Sequence, residues 1–183
     1  MTNLLEALRS ASAADRDVYR PVFFRPASAS DRARLEELLK REHVTVSDHL
    51  HGQLTELVRA LNPAIKFTTA DLDQAAREHM GTIVSEDYGV WVHYPWSNRL
   101  VHLLDEKEFI LVRTDRNRNK ITSAEQEVLA TKKVGVIGLS VGQSVSLTMA
   151  QERSFGELRL ADHDTLELSN LNRIRSGVHQ MGI

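Results

Sequence analysis

The chain has 183 residues, enough for one good core or two small ones, with 23 basic and 25 acidic side chains that nearly cancel. That balance gives no electrostatic argument for a surface built to coat nucleic acid or an anionic membrane. Cysteine is absent, which removes thiolate nucleophiles, thioester steps and cysteine-held metal from this chain.

The N-terminal segment MTNLLEALRSASAADRD is too charged for a signal peptide, and no stretch approaches the roughly 18 apolar residues of a membrane span. A soluble, cytoplasmic protein without membrane contacts is the expectation. Residues 1–20 read as a short amphipathic helix and a polar connector. Val22-Phe23-Phe24, between Pro21 and Pro26, suits only a brief edge strand. Ser30 is placed to cap a helix carrying Leu35, Leu38 and Leu39 up to Lys40. A second helix is expected from Ser47, with Leu50, Leu54, Leu57, Val58 and Leu61 on one stripe, ending at Asn62-Pro63. Thr68 or Thr69 caps a third, which Gly81 ends.

The period then changes. Residues 90–94, 100–104 and 109–112 are apolar runs of strand length, which predict an antiparallel meander. His49 and His51 lie two apart in a predicted helix and point to different faces, so they make no metal pair. His93 and His102 fall on adjacent predicted strands, where a structural role is expected, and Trp91, Tyr94 and Trp96 read as core filling of the meander, with a peptide or partner groove as the alternative. The basic run from Arg113 to Lys120 lacks interleaved aromatics, so it reads as a solvated or phosphate-facing linker without nucleic acid as its partner. A helix follows from Ser123 to Ala130 with a Ser123-to-Gln126 capping box. The domain boundary is expected near residues 114 to 122, giving an N-terminal α+β domain over 1–115.

The C-terminal third carries the chemistry. The β-branched strand from Val134 to Ile137 runs into Gly138-Leu139-Ser140-Val141-Gly142, where a helix begins whose first-turn N–H groups suit a phosphate. About twenty residues on, Asp162 ends a second strand at the place where such folds read a ribose. Ser169 is expected to cap a short helix, and Asn170 with Arg173 to meet phosphate oxygens from one direction, while Asp164 suits turn N–H groups or the phosphate neighbourhood.

VGVIGLSVG, LADHD and SNLNR stand in an order and at spacings that resemble the ThiF/MoeB adenylyltransferases, whose fold ubiquitin-activating enzymes share. Upstream, Asn117-Arg118-Asn119 and Gln126-Glu127-Val128-Leu129 are similar to that family's N-R-Q segment and following helix, so the resemblance covers residues 116 to 183. It implies an α/β chain whose second part is the first βαβ part of a Rossmann-like adenylating domain. It further implies ATP-dependent activation of the C-terminal carboxylate of a ubiquitin-like or sulfur-carrier protein. By position, Gly138, Ser140 and Gly142 would hold the nucleotide, Asp162 the ribose, and Asp164, Ser169, Asn170 and Arg173 the phosphate side. Arg118 and Arg173 would be the catalytic arginines, Arg118 reaching the ATP of a neighbouring subunit in a homodimer. Magnesium is implied as a second cofactor, with its aspartate ligand beyond Ile183, so the chain is expected to be part of a longer unit, and no metal ligand is assigned within it. The alternative is a nucleotide-binding or protein-interaction module without turnover.

Overall fold

The computed structural model describes Leu4 and residues 18–182. The expected N-terminal helix lies, Leu4 apart, outside the described residues. The fold is mixed α/β and divides between Arg113 and Thr114 into two compact units. No helix among the described residues is long and apolar enough to cross a membrane.

The first unit is built on a four-stranded mixed sheet. Strand β1 (Val22–Phe24) pairs antiparallel with β3 (Val90–Tyr94), which pairs antiparallel with β4 (Arg99–Leu103), and β2 (Thr45–Asp48) closes the order β1-β3-β4-β2 by running parallel to β4. Alternation puts Phe24, Trp91, His93, Leu100 and His102 on one face, since Phe24 stands opposite Trp91, His93 opposite Leu100 and Trp91 opposite His102. Helix α1 (Ala29–Leu39) covers that face with Leu35 and Leu38, which form a cluster with Phe24 and Leu100. Ser28, rather than Ser30, caps α1 by accepting the Asp31 N–H.

The second cluster joins Leu50, Leu54 and Leu57 of α2 (Leu50–Leu61) to Ala76 of α3 (Thr69–Met80) and to Leu104. Thr68 and Asp71 form a reciprocal capping box at the start of α3, and Gly81 with φ 65° ends it. The α2 register begins three residues later than the sequence suggests, because Thr45–Asp48 pairs with β4 and the Asp48 carboxylate accepts the Leu50 N–H at 3.0 Å.

The expected third strand is a helix. Residues 109–112 lie in α4 (Glu106–Thr114), so the meander has two strands and not three. A contiguous apolar run fits either period, and here Asp105 decides: its carboxylate accepts the Glu106 N–H at 2.7 Å and its carbonyl accepts the Phe109 N–H at 2.9 Å. The helical turn then delivers Phe109, Leu111 and Val112 to the Leu50–Leu54–Leu57 cluster. Arg25 forks onto the same Asp105 carboxylate at 2.7 and 2.8 Å, and that guanidinium holds the carboxyl below its ordinary range.

His102 is fully buried, its ring stacked on Trp91 at 4.1 Å between centroids, with Nδ1 at 3.1 Å from Asp48 and Nε2 at 2.8 Å from the Tyr88 carbonyl. It is a structural tie between β2, β4 and the loop before β3. His51 meets Asp73 at 3.0 Å, and His49 is the N-cap residue of α2.

In the second unit, α5 (Ser123–Leu129) is capped by Thr122 with Glu125, one residue earlier than the Ser123–Gln126 box expected. Gln126 instead donates to the Arg153 carbonyl at 2.8 Å. Strand β5 (Lys133–Ile137), helix α6 (Leu139–Glu152) and strand β6 (Glu157–Ala161) follow, and β5 and β6 pair in parallel with Val136 opposite Leu160. Among the described residues of this unit Ser146 is buried and no apolar side chain is, and Ile137 is 91 % exposed.

Candidate functional site

Parallel pairing forces the ends of β5 and β6 and the start of α6 to one edge of the second unit, which is the usual address of ligand sites in such arrangements. Gly138, at φ 86°, makes the sharp turn from β5 into α6; a side chain there would be strained by its backbone alone. Its N–H donates to the Ala161 carbonyl at 2.8 Å, which ties the turn to the end of β6.

Gly142 has a different reason. A Cβ there would come within 2.8 Å of Val136 Cγ1, so this glycine lets α6 lie close on β5. That contact gives this glycine a role in helix–strand packing.

Asp162 stands one residue past β6 and spans the turn. One carboxylate oxygen accepts the Leu139 N–H at 2.6 Å, and the other accepts the N–H groups of His163 and Asp164 at 2.8 and 3.1 Å. The Leu139 N–H, the first of α6, is the largest cause holding the carboxyl below its ordinary range, followed by the Asp164 N–H. A depressed folded value means the interaction is complete above the unfolded-chain value of about 3.9 and is lost as pH falls through the lower one. The Asp162 carboxyl ¹³C shift and the Leu139 amide shift should therefore titrate together below the usual aspartate range. A shared midpoint at or above about 3.9 would remove this bond from solution.

Arg173 reaches the same place from the other side. Its Nε donates to Ser140 Oγ at 2.8 Å and one terminal nitrogen donates to Asn172 at 3.0 Å. Gln143 holds the segment that carries it: the Gln143 amide accepts the Arg175 N–H at 3.0 Å and donates to the Arg175 carbonyl at 3.1 Å. The 3-10 turn Leu168–Asn172 is capped from within, the Asn170 side-chain Oδ1 accepting the Glu167 N–H at 2.8 Å. Ser169, expected to be the cap, instead meets the Glu167 carboxylate at 3.5 Å.

Leu139, Ser140, Gln143, Asp162, Asp164, Asn170 and Arg173 together line a cleft of about 240 Å³. Gln143 was not singled out from the sequence; its position one turn into α6, facing a segment thirty residues away, leaves no local signal. Arg118 is not brought to this cleft. Its guanidinium pairs with Asp115, and its neighbour Asn117 donates to the Glu152 carbonyl at 3.1 Å, at the far end of α6. A helix of 14 residues puts that end about 20 Å from Leu139. Asp162, His163 and Asp164 bring possible metal-ligand atoms within 4.8 Å of one another, all on exposed residues. Both Asp162 oxygens already accept N–H groups, so the trio is a turn before it is a metal site.

A segment of 93 residues, 51 % of the chain, is 48 % identical to "Uncharacterized protein MT1398" of Mycobacterium tuberculosis (strain CDC 1551 / Oshkosh), and it spans 13 % of that relative's length. No family model matches the chain, and no solved structure matches it. The relative being uncharacterized, the likeness brings no activity with it.

Proposed function

We propose that residues 114–182 supply the nucleotide-binding part of an ATP-dependent adenylyltransferase of the ThiF/MoeB kind, acting on the C-terminal carboxylate of a ubiquitin-like or sulfur-carrier protein. The β5–α6–β6 unit would then be the first βαβ part of a Rossmann-like domain. The observation that carries the reading is the convergence of Asp162 and Arg173 on the first turn of α6, through Leu139 and Ser140.

The residues fit the nucleotide in kind. Gly138 makes a turn that opens the helix start, whose N–H groups suit phosphate oxygens. Arg173 is held by neutral oxygens, so its guanidinium keeps its charge for an anion at the same helix end. Asp162 orders the turn and retains lone pairs for ribose hydroxyls. ATP bound there supplies an electrophilic α-phosphorus to the carrier carboxylate, giving an acyl-adenylate and pyrophosphate. The chain's own part is to orient the phosphates and offset their charge, which requires no protein nucleophile. Arg118, anchored at the opposite end of α6, would serve a second subunit's cleft, in keeping with a homodimer. For magnesium, the one His/Asp group with candidate ligand atoms among the described residues is Asp162, His163 and Asp164, an exposed turn already ordered by backbone N–H groups, so no residue of it is assigned as a magnesium holder.

Arg173→Ala should weaken ATP binding roughly 10- to 150-fold, the measure of about 1.5–3 kcal/mol for a charge-assisted contact. Calorimetric titration of ATP into the full chain reads this directly, and unchanged affinity would remove Arg173 from the site. A second reading, a nucleotide-binding or protein-interaction module without turnover, is favoured by the exposure of Ile137, Val141 and Leu168, apolar surface of the kind protein contacts cover. ATP binding without carrier-dependent ATP–pyrophosphate exchange would select that reading.

A further inference from the structure

Arg173 serves an anion at the start of α6 only if something keeps it there, because it is exposed and an untethered arginine samples many rotamers. Ordering such a side chain at the moment of binding weakens the affinity it contributes. Two residues of α6 remove that freedom before any ligand arrives. Ser140 and Gln143, three apart in the helix, share the face that lines the cleft.

Ser140 Oγ accepts the Arg173 Nε–H at 2.8 Å, which holds the side chain. Gln143 acts on the backbone two residues further on, its Oε1 accepting the Arg175 N–H at 3.0 Å and its Nε2 donating to the Arg175 carbonyl at 3.1 Å. Pinning both backbone groups of one residue fixes the peptide planes on either side of it. Behind Arg173, the Asn170 carbonyl accepts the N–H groups of Arg173 and Ile174 at 3.1 and 2.9 Å. Arg173 therefore stands between a closed turn and a clamp.

The residue type at 143 follows from that task. A side chain that both donates and accepts at its tip takes the N–H and the carbonyl of one residue together, whereas an ionised Glu lacks the donor and Lys the acceptor. The amide oxygen and one N–H of Gln143 are committed to Arg175, although the side chain lines the cleft. We propose that Gln143 is a positioning residue, which holds Arg173 over the first turn of α6 for the phosphates of the nucleotide and does not itself bind them. The assignment rests on the nucleotide reading of the cleft.

A double-mutant cycle of Gln143→Met and Arg173→Ala in the full chain tests it, with ATP affinity read by calorimetry and hydrogen exchange of the Arg175 amide and the Arg173 Nε–H read by NMR. Gln143→Met keeps the length of the side chain and removes both hydrogen bonds. It should weaken ATP roughly 3- to 10-fold, the effect of ordering one free side chain, and change ATP affinity less than about twofold once Arg173 is replaced by Ala. Both N–H groups should be protected from exchange in the unaltered chain and lose that protection in Gln143→Met. A residue that only stabilises the unit weakens ATP by the same factor with and without Arg173, so additive effects would overturn the proposal. Unchanged ATP affinity in Gln143→Met would overturn it too, as would an unprotected Arg175 amide in the unaltered chain, a measurement that needs no variant to fold. If the unaltered chain binds no ATP while Gln143→Met still releases the Arg173 Nε–H, the nucleotide reading of the cleft falls and the clamp on Arg173 stands.

Discussion

Replacing Gly89 by Ala is expected to destabilise the first unit by about 2–5 kcal/mol, with a lower urea midpoint and an unchanged slope. Two effects add at this position. Gly89 sits at φ 73°, where a side chain costs about 1–2 kcal/mol by its backbone conformation alone. A Cβ would also come within 2.2 Å of the Leu103 carbonyl oxygen and 3.3 Å of Leu50 Cδ1. The first of these is backbone in the β3–β4 pair, so it cannot swing aside as a flexible side chain would. Relief requires the loop carrying Tyr88 to move, and the Tyr88 carbonyl is the partner of the buried His102. A change within about 0.5 kcal/mol, the range of an ordinary surface substitution, would show that the loop yields freely and would sink the argument.

Truncating Leu54 to Ala should cost about 2–5 kcal/mol in the same measurement, whereas Ile137→Ala should stay within about 0.5 kcal/mol. Leu54 is fully buried at the meeting of α2, α3 and α4, where a deleted side chain leaves a space that Leu50, Leu57 and Leu104 close only in part. Ile137 has the same aliphatic bulk and stands in a strand, but it is 91 % exposed and has little packing to lose. The contrast separates burial from residue type. Equal effects at the two positions would mean that the exposed face of β5 is covered in solution.

Much of the local structure could be read from the sequence, and the failures have physical causes. The α2 stripe of Leu50, Leu54, Leu57 and Val58 is visible as period alone, and so is the stop at Asn62, whose side chain donates to the Val58 carbonyl. Residues 109–112 misled because four consecutive apolar residues carry no period. The arbiter was Asp105, one polar residue upstream, acting on backbone N–H groups. Strand β2 was missed because Thr45-Val46-Ser47-Asp48 is polar but for Val46 and forms only by pairing with β4, a partner more than fifty residues away. Caps were misplaced by a residue or two at α1 and α5, where neighbouring hydroxyls offer equivalent chemistry and the backbone chooses between them.

The candidate cleft divides in the same way. Gly138, Asp162 and Arg173 announce themselves by type and spacing, since a turn, a strand end and a charged segment are local properties. That Asp162 reaches the Leu139 N–H, that Arg173 reaches Ser140 and that Gln143 clamps Arg175 are contacts across 23 to 33 residues. Only the parallel pairing of β5 with β6 creates them. Gly142 adds a contact that motif reading does not show: a Cβ there would meet Val136 on the neighbouring strand.

The sequence by itself determined the absence of cysteine chemistry, the helical stripes, the glycine turn and the residues available to hold an anion. Tertiary structure alone decided which of those residues meet. It left Arg118 at the far end of α6 and brought Asp162 and Arg173 to its start. The reason is that period and spacing fix a side chain's direction on its own element, whereas a site depends on which elements lie beside it, and long-range pairing alone sets that.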